Sequence, residues 1–259
     1  MTAIPDDLID ALAAADTVAV LTGAGASAES GIATFRDPDG LWEQFSPEEL
    51  ANVEAFLDNP TLVQGWYRYR QDAIHEAEPN AGHRALTRLE ALVPDFACIT
   101  QNVDNLHQEA GTERVIELHG NIIRSYCIDC GAAHTLDADA APDREAPVRC
   151  DECGGLIRPD VVWFGERLPP DAIATAQEWA RAADVFLCVG TSAVVFPAAD
   201  LPLEALAHGA YVADVNPDRS AVSGKAHVHL QAPAGEALPA LVDAVAARIS
   251  TDPAHPDTA

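Results

Sequence analysis

Four short apolar runs, each followed by glycine or polar residues, recur along the chain. They span residues 18–21, 96–100, 186–189 and 211–215. Apolar runs of this length without alternation are typical of strands that are buried on both faces of a parallel sheet. Helical patterns lie between or after them, at 81–92, 171–182, 198–208 and 235–249. The alternation predicts an α/β fold with a Rossmann-like, doubly wound parallel sheet and helices on both faces.

Two stretches interrupt this alternation. Residues 32–80 contain helical patterns but no strand, and residues 121–160 contain most of the cysteines and no long periodic pattern. We therefore expect the main domain to comprise residues 1–31, 81–120 and 161–250. A helical insertion at 32–80 and a smaller module at 121–160 leave that domain and return to it. The polar, Pro-rich end at 251–259 is expected to be a flexible tail.

Composition and charge narrow the class of protein. Hydrophobic residues make up 48% of the 259, and 41 acidic residues against 15 basic ones give a net charge of −26. Such a charge opposes nucleic-acid binding, which depends on cationic side chains. It favours a cytosol rich in salt, as in a halophile, although an ordinary acidic protein is the alternative. The first 16 residues resemble an amphipathic helix and not a signal peptide, so we expect a cytoplasmic protein without a membrane partner.

Four of the six cysteines fall into two closely spaced pairs. Cys127-x2-Cys130 and Cys150-x2-Cys153 have the spacing of a zinc ribbon. Four thiolates fill a tetrahedral coordination sphere, so the sequence predicts one structural Zn²⁺. Cys98 and Cys188 lie within apolar runs and are expected to be small buried side chains.

A glycine-rich turn follows the first apolar run. Gly23, Gly25 and Ala28 match the pattern G-x-G-x-x-[G/A], which favours binding of a dinucleotide diphosphate, while a plain tight turn is the alternative. A hydride-transferring dehydrogenase needs a second strand about 20 residues later that ends in an acidic residue. Residues 32–40 have the character of a loop instead, which argues against the standard dehydrogenase arrangement.

Polar side chains also follow the second apolar run. Gln101, Asn102 and Asp104 either line a ligand pocket at the end of a strand or cap a helix at 105–110, and the two roles are compatible. His119 follows the short run 115–118 and precedes Gly120. It is a candidate general base, with a structural histidine as the alternative.

Taken in order, these segments resemble the sirtuins, a family of NAD-dependent protein deacylases. The similarity lies in 23–36, 100–107, 119–120, the four cysteines, 158–166, 190–192 and 216. Ala33, Asp37 and Asp160 depart from common family residues without removing a required chemical group. The resemblance implies acylated-lysine proteins as substrates and NAD as a consumed co-substrate. Acyl transfer to the ribose would release nicotinamide and O-acyl-ADP-ribose, which explains why the dehydrogenase-type acid is missing.

The resemblance also implies roles for individual residues. His119 would be the base that acts on the ribose hydroxyls. Val162, Phe164 and Glu166 would form the edge to which an acyl-lysine peptide adds as a strand. The implied cofactor contacts are Gly23, Ala24, Gly25, Glu29, Phe35, Arg36, Gln101, Asn102, Asp104, Gly190, Thr191, Ser192, Asn216, Pro217, Asp218 and Ala234.

One further pair concerns the acyl group. Tyr67 and Arg70 are spaced i, i+3, so on a helix they share a face, and a phenol with a guanidinium can hold a carboxylate. The pair is similar to the signature of sirtuins that remove succinyl and malonyl groups, while an unrelated surface pair is the alternative. Two other classes remain open at this point: a zinc-containing NAD(P) dehydrogenase, and a non-enzymatic zinc-ribbon module for nucleic acid, which the charge opposes.

Overall fold

A six-stranded parallel sheet forms the centre of the molecule in a computed structural model, which describes residues 3–32, 50–136 and 146–251. Its strands are β1 Thr17–Thr22, β2 Asp95–Thr100, β3 Val115–Glu117, β7 Val185–Val189, β8 Tyr211–Val215 and β9 Val228–Leu230. Their order in the sheet is β3-β2-β1-β7-β8-β9. The four predicted strands are confirmed as β1, β2, β7 and β8. The short run 115–118, which places His119 at a strand end, contains β3. The sequence analysis missed β9, because three residues are too few to form a pattern.

Helices cover both faces of this sheet, as predicted. The helices among the described residues are α1 Asp6–Ala13, α2 Val53–Asp58, α3 Pro60–His75, α4 Ala81–Glu90, α5 Leu106–Glu109, α6 Pro170–Ala182, α7 Leu201–Ala207 and α8 Ala234–Thr251. Helices α1, α4 and α8 pack on the face to which Val18 and Val20 point. Helices α6 and α7 pack on the opposite face with Ala19 and Leu21. Successive strand residues point to opposite faces, so a strand buried on both sides is apolar throughout.

The turn after β1 differs from the prediction. The glycine pattern predicts that a helix starts there, but the described residues form two 3₁₀ turns, Ala24–Ala26 and Ala28–Ser30. A Cβ on Gly25 would lie 2.8 Å from the carbonyl oxygen of Gly190, whose own φ is +58°. The Gly25 N–H donates to that carbonyl at 2.9 Å. The glycines therefore bring the turns after β1 and β7 into backbone contact.

A second, antiparallel sheet carries the cysteines. Its strands are β4 Gly120–Cys127, β5 Ala133–His134 and β6 Ile157–Val161, in the order β5-β4-β6. Helices α2 and α3 share a core with it that includes Phe56, Val63, Ile122 and Trp163. The sequence did not predict these strands, since β5 is short and β6 contains the polar residues Arg158 and Asp160.

Some predictions fall on residues outside this description. Phe35 and Arg36, Ala33 and Asp37, and the tail after Thr251 lie outside the described residues. Within the described ranges, no helix combines the length and the apolar character that a membrane crossing requires.

Candidate functional site

The loops after β1, β2, β7 and β8 meet at one edge of the parallel sheet. They lie next to the boundary between β1 and β7, where the strand order reverses its direction. Gln101 Nε2 donates to the Thr22 carbonyl at 3.2 Å and to Thr191 Oγ1 at 2.9 Å. Asn216 Nδ2 donates to the Thr191 carbonyl at 3.0 Å. The structure thus brings together predicted residues from the loops after β2, β7 and β8, and Gly25 of the turn after β1 joins them through its hydrogen bond to Gly190. Such a crevice at the carboxyl ends of parallel strands is where open α/β sheets bind ligands.

Asn102 and Asp104 join the β2 loop to the glycine-rich turn. Asn102 Nδ2 donates to the Gly23 carbonyl and to Ser27 Oγ, both at 3.1 Å. The Ser27 hydroxyl donates to Asp104 Oδ2 at 2.6 Å. Burial raises the pKa of Asp104, and the hydrogen bond from Ser27 opposes that shift. Asp104 Oδ1 also accepts from Leu106 N at 3.1 Å, so the carboxylate both lines the crevice and holds the start of α5.

Two buried histidines lie beneath these residues. The rings of His83 and His107 meet edge to face with centroids 4.8 Å apart, and each side chain is 1% exposed. His107 Nε2 lies 3.0 Å from Thr22 Oγ1, and His83 Nε2 lies 3.5 Å from Ser27 Oγ. Burial lowers the pKa of His83 to about 4 and that of His107 to about 3. At neutral pH the base of the crevice is therefore polar but carries no histidine charge.

The sequence analysis missed His83 and Ser27 as members of this group. The sequence contained one local signal, because Asn80 and His83 have the spacing of a capping box at the start of α4. In the structure, Asn80 N donates to His83 Nδ1 at 3.2 Å. That pattern predicts a helix start and does not reveal which residues the ring contacts. Only the packing of α4 against the loop after β1 brings His83 to Ser27.

His119 lies between β3 and β4, where the chain passes from the large sheet to the small one. Its Nδ1 is 2.9 Å from the carbonyl oxygen of Gln101. A carbonyl only accepts, so Nδ1 carries the proton and Nε2 keeps its lone pair. Burial lowers the pKa of His119, with the Gln101 hydrogen bond opposing it. The ring is half-buried, neutral near pH 7 and fixed in the tautomer that a base acting through Nε2 requires.

Gly120 makes this placement possible. Its φ is +78°, and a Cβ there would collide with the carbonyl oxygen of Asp160 on the adjacent strand β6. The His119 carbonyl accepts from Val162 N at 2.9 Å, so the backbone of the candidate base is hydrogen-bonded to the segment after β6.

Tyr67 and Arg70 lie on α3, as the spacing predicts. Tyr67 is buried, and its hydroxyl accepts from Trp163 Nε1 at 2.8 Å. Burial raises the pKa of Tyr67 to about 12, although Arg70 opposes the shift. The Arg70 Cζ lies 4.8 Å from the ring centroid of Trp66 and 5.9 Å from that of Tyr67. In the described part of the chain, no carboxylate forms an ion pair with this half-buried guanidinium.

The segment after β6 contains the predicted peptide edge. Val162 is half-buried and Phe164 is exposed, at 60%. Glu166 has a second task that the sequence did not reveal. Its oxygens accept from Arg158 at 2.6 and 2.8 Å, and Oε2 also accepts from Trp163 N at 2.7 Å. Burial alone raises the pKa of Glu166, but these hydrogen bonds outweigh it, and the pKa lies below its usual range.

The remaining predicted contacts are spread around the same edge. Glu29 Oε2 accepts from Gly235 N at 2.6 Å, which ties the glycine-rich turn to the start of α8 beside Ala234. Pro217 and Asp218 are exposed in the loop after Asn216.

The four cysteines converge at one end of the small sheet. The Sγ atoms of Cys127, Cys130, Cys150 and Cys153 all lie within 4.8 Å of one another. Cys127 and Cys153 are 3.4 Å apart, and Cys130 and Cys150 are 3.8 Å apart. Tetrahedral zinc with Zn–S bonds of ~2.3 Å separates its sulfur ligands by about 3.8 Å. The donor set and its spacing therefore fit a closed Zn²⁺ site.

Comparison with known proteins extends this picture over nearly the whole chain. The Sir2 family model matches residues 23–197. An NAD-dependent protein deacylase of Pyrobaculum aerophilum is 51% identical over 245 residues, 95% of this chain and 97% of that protein. A deacylase of Aquifex aeolicus is 51% identical over 226 residues, 87% of this chain and 94% of that one.

Solved structures agree with these relatives. The structure of a Sir2 homologue in complex with NAD has a TM-score of 0.89 at 42% identity, with 96% of each chain covered. A complex of Sir2 with a p53 peptide and NAD⁺ has a TM-score of 0.81 at 33% identity, covering 92% of this chain and 96% of that one. The match over more than half of the chain, together with these relatives, shows that the protein belongs to the Sir2 family.

Proposed function

We propose that the protein is an NAD-dependent deacylase of protein lysines, which releases nicotinamide and O-acyl-ADP-ribose. The observation that carries the proposal is His119, a neutral imidazole held through Nδ1 at the edge of a crevice lined by four strand-end loops. Deacylase relatives and neighbours solved with NAD or peptide support the same activity. The sequence of residues 32–40 does not have the pattern of a strand that ends in an acidic residue, as a standard dehydrogenase requires, and this disfavours hydride transfer.

The resemblance to sirtuins implies the NAD-binding residues, and the meeting of the strand-end loops at one edge of the sheet supports that assignment. The glycine-rich turn and Glu29 would support the diphosphate half. The loop after β7 and the segment at Asn216, Pro217 and Asp218 would hold the adenosine half, with Ala234 beside them. Gln101, Asn102 and Asp104 would contact the ribose and nicotinamide. Bound NAD supplies the ribosyl carbon that accepts the acyl oxygen as nicotinamide leaves.

His119 would remove a proton from a ribose hydroxyl through Nε2. Its lowered pKa keeps the imidazole unprotonated at neutral pH, and the Gln101 carbonyl holds the ring in one orientation. Both properties favour a general base, which must be deprotonated before the reaction and correctly placed. The uncharged histidines beneath the crevice add no positive charge to the site that the oxidised nicotinamide ring would enter.

The substrate would add as an extended strand along residues 162–166, beside the exposed ring of Phe164. In this chain Glu166 holds the segment in place through Arg158, so we assign peptide contact to Val162 and Phe164 and a supporting role to Glu166.

We further propose that succinyl and malonyl groups are substrates in addition to acetyl. Arg70 is half-buried over aromatic rings and has no ion-pair partner among residues 3–32, 50–136 and 146–251. The Asp104 carboxylate acts on Arg70 only from beyond ion-pair distance. A partly desolvated guanidinium without a paired carboxylate favours a ligand that brings one. Tyr67 lies beside it, and its hydroxyl oxygen is fixed by Trp163.

We also propose that the enzyme works in a reducing cytosol of high salt, without a nucleic-acid or membrane partner. The support is the group of four thiols placed for a metal and the net charge of −26. The Debye length falls to about 3 Å at 1 M salt, which removes most of the self-repulsion of such a surface. The melting temperature and deacylase activity should therefore rise from low salt to molar KCl, and a fall over that range would contradict this part of the proposal.

The decisive test is nicotinamide release. The protein is incubated with NAD and matched peptides that carry acetyl-, succinyl-, malonyl- or unmodified lysine. Nicotinamide and O-acyl-ADP-ribose are then quantified by chromatography and mass spectrometry. We expect both products in equal amounts with acyl peptides and neither with the unmodified peptide. Formation of NADH with an alcohol or hydroxy acid, without nicotinamide release, would instead establish a dehydrogenase.

A further inference from the structure

Gln64 is a buried amide in the N-terminal part of helix α3, on the side that faces the small sheet. Its side chain is fully buried and satisfied on both of its ends. Nε2 donates to the carbonyls of Val148 at 3.0 Å and Ile157 at 2.7 Å, and Oε1 accepts from Val148 N at 2.7 Å. A buried amide is costly unless its donors and acceptor are paired, and packing alone favours an apolar residue there. The three hydrogen bonds therefore define a specific attachment.

The attachment point is the base of the segment that carries two of the four cysteines. Ile157 N donates to the Val148 carbonyl at 3.2 Å, and Arg149 pairs with Leu156. Cys150 and Cys153 lie between these two ends. Ile157 also packs with Cys127 and Cys150 in the small core beside the zinc site. Gln64 thus contacts both ends of the segment 148–157, the cysteine-bearing hairpin, at once.

The same helix face contacts the rest of the zinc-bearing sheet. Tyr67, three residues after Gln64, accepts from Trp163, and Gln71 Nε2 donates to the Ile122 carbonyl of β4 at 2.6 Å. The spacing i, i+3, i+7 places these side chains along one stripe of the helix. Arg70 is carried by the same turn as Gln71. Helix α3, which carries Arg70, is therefore attached to the small sheet and to the segment that follows β6. The candidate NAD residues lie on loops of the parallel sheet, and among them Asp104 interacts with Arg70 electrostatically.

We propose that Gln64 is a positioning residue that couples the zinc-bearing hairpin to acyl recognition by Arg70. This inference rests on the proposed function. Loss of the Gln64 hydrogen bonds frees the hairpin from α3, so zinc leaves more readily. It also lets α3 shift on the small sheet, which moves the Arg70 guanidinium relative to an acyl carboxylate. A shift of this kind lowers kcat/KM for succinyl-lysine more than for acetyl-lysine, and it leaves the NAD-binding loops in place.

The test compares Gln64→Met with Gln71→Met in the full-length, zinc-loaded protein. Both substitutions are close in size to glutamine, and each removes amide hydrogen bonds from the same face of α3, but only the first one touches the hairpin. Net hydrogen-bond losses of ~1–1.5 kcal/mol correspond to about 5–15-fold. We expect Gln64→Met to lower the succinyl-to-acetyl ratio of kcat/KM by up to that factor and to speed zinc transfer to a chromogenic chelator. ADP-ribose affinity, measured by calorimetry, should stay unchanged.

Gln71→Met should leave the rate of zinc release as it is in the parent protein. Unchanged zinc release in Gln64→Met, or equal loss of succinyl and acetyl turnover, would overturn the coupling and leave Gln64 a packing residue. If the parent protein removes no succinyl group, the acyl-class proposal fails. The coupling is then decided by zinc release together with KM for the acetyl peptide, which should rise while KM for NAD does not. If Gln64→Met does not fold, Gln64→Asn, which keeps a neutral amide but is one methylene shorter, takes its place under the same criteria.

Discussion

Replacement of Arg70 by methionine isolates the feature that distinguishes acidic from neutral acyl groups. The side chain lies half-buried on α3 with its Cζ 4.8 Å from the Trp66 ring centroid. Burial lowers the pKa of Arg70, and the Tyr67 phenol and the Asp104 carboxylate oppose the shift. Methionine keeps the aliphatic contact with the rings and removes only the guanidinium. The expected loss is therefore the interaction with a substrate carboxylate.

The structure separates two contributions of the guanidinium. The cation–π contact with Trp66 exists without substrate and is worth ~0.5–1 kcal/mol, so its loss affects the free energy of unfolding and not acyl choice. A charge-assisted hydrogen bond to a succinyl carboxylate is worth ~1.5–3 kcal/mol. Since 1.4 kcal/mol is about tenfold, kcat/KM for succinyl-lysine should fall by about 10–150-fold. Deacetylation should change little, because an acetyl group has no carboxylate.

The assay measures kcat/KM for matched succinyl and acetyl peptides at saturating NAD and at several ionic strengths, because salt screens the contact. Arg70→Lys keeps the charge but loses the planar guanidinium. Its preference for succinyl over acetyl peptide should therefore lie between those of the parent protein and Arg70→Met. Arg88→Met serves as the control, since Arg88 is exposed on α4 and pairs only with Asp243 in the described structure. Equal loss of both activities in Arg70→Met would show that the arginine is structural and that the acyl class was assigned incorrectly.

Four further outcomes test the site. His119→Ala should lower turnover by ~10²–10⁴-fold while ADP-ribose affinity is retained; turnover near that of the parent would assign the base elsewhere. Glu166→Gln should destabilise the fold by ~1–3 kcal/mol, less than for a fully buried pair because the carboxylate is partly exposed, and an unchanged denaturation midpoint would contradict this. Cys150→Ser should abolish stoichiometric zinc and lower the melting temperature, which metal analysis and calorimetry check together. His83 and His107 have folded pKa values of about 4 and about 3, below the unfolded value of ~6.5, so the unfolded state binds their protons first as pH falls. Stability should thus decrease from pH 6.5 towards pH 4, by up to roughly 1.4 kcal/mol per pH unit for each histidine, and a melting temperature that stays level across this range would contradict their burial as neutral rings.

Local patterns were sufficient for the four longer strands of the large sheet. The runs that became β1, β2, β7 and β8 are apolar throughout because strands covered on both faces have no solvent side. The spacing of the cysteines was sufficient to predict that the two pairs come together, since C-x2-C spacing places two thiolates at one metal. The polar residues after β2 and the histidine before Gly120 were also identifiable from sequence, because each follows a predicted strand end.

Contacts between distant segments were decided by the tertiary structure. The short β3 and β9 exist because a neighbouring strand is already in place, and β6 tolerates Arg158 because Glu166, eight residues later, neutralises it in the fold. Gly25 is needed for its contact with Gly190, and His83 belongs to the crevice only through the packing of α4.

The sequence by itself determined the type of sheet, the metal donors and most of the residues at the strand ends, because these depend on neighbours within a few positions. The tertiary structure alone decided the tautomer and lowered pKa of His119, the task of Glu166 and the attachment of α3 to the cysteine-bearing hairpin through Gln64. Each of these depends on burial and on a partner far away in the chain. Both are set by how the layers pack, and neither leaves a periodic trace in the order of the amino acids.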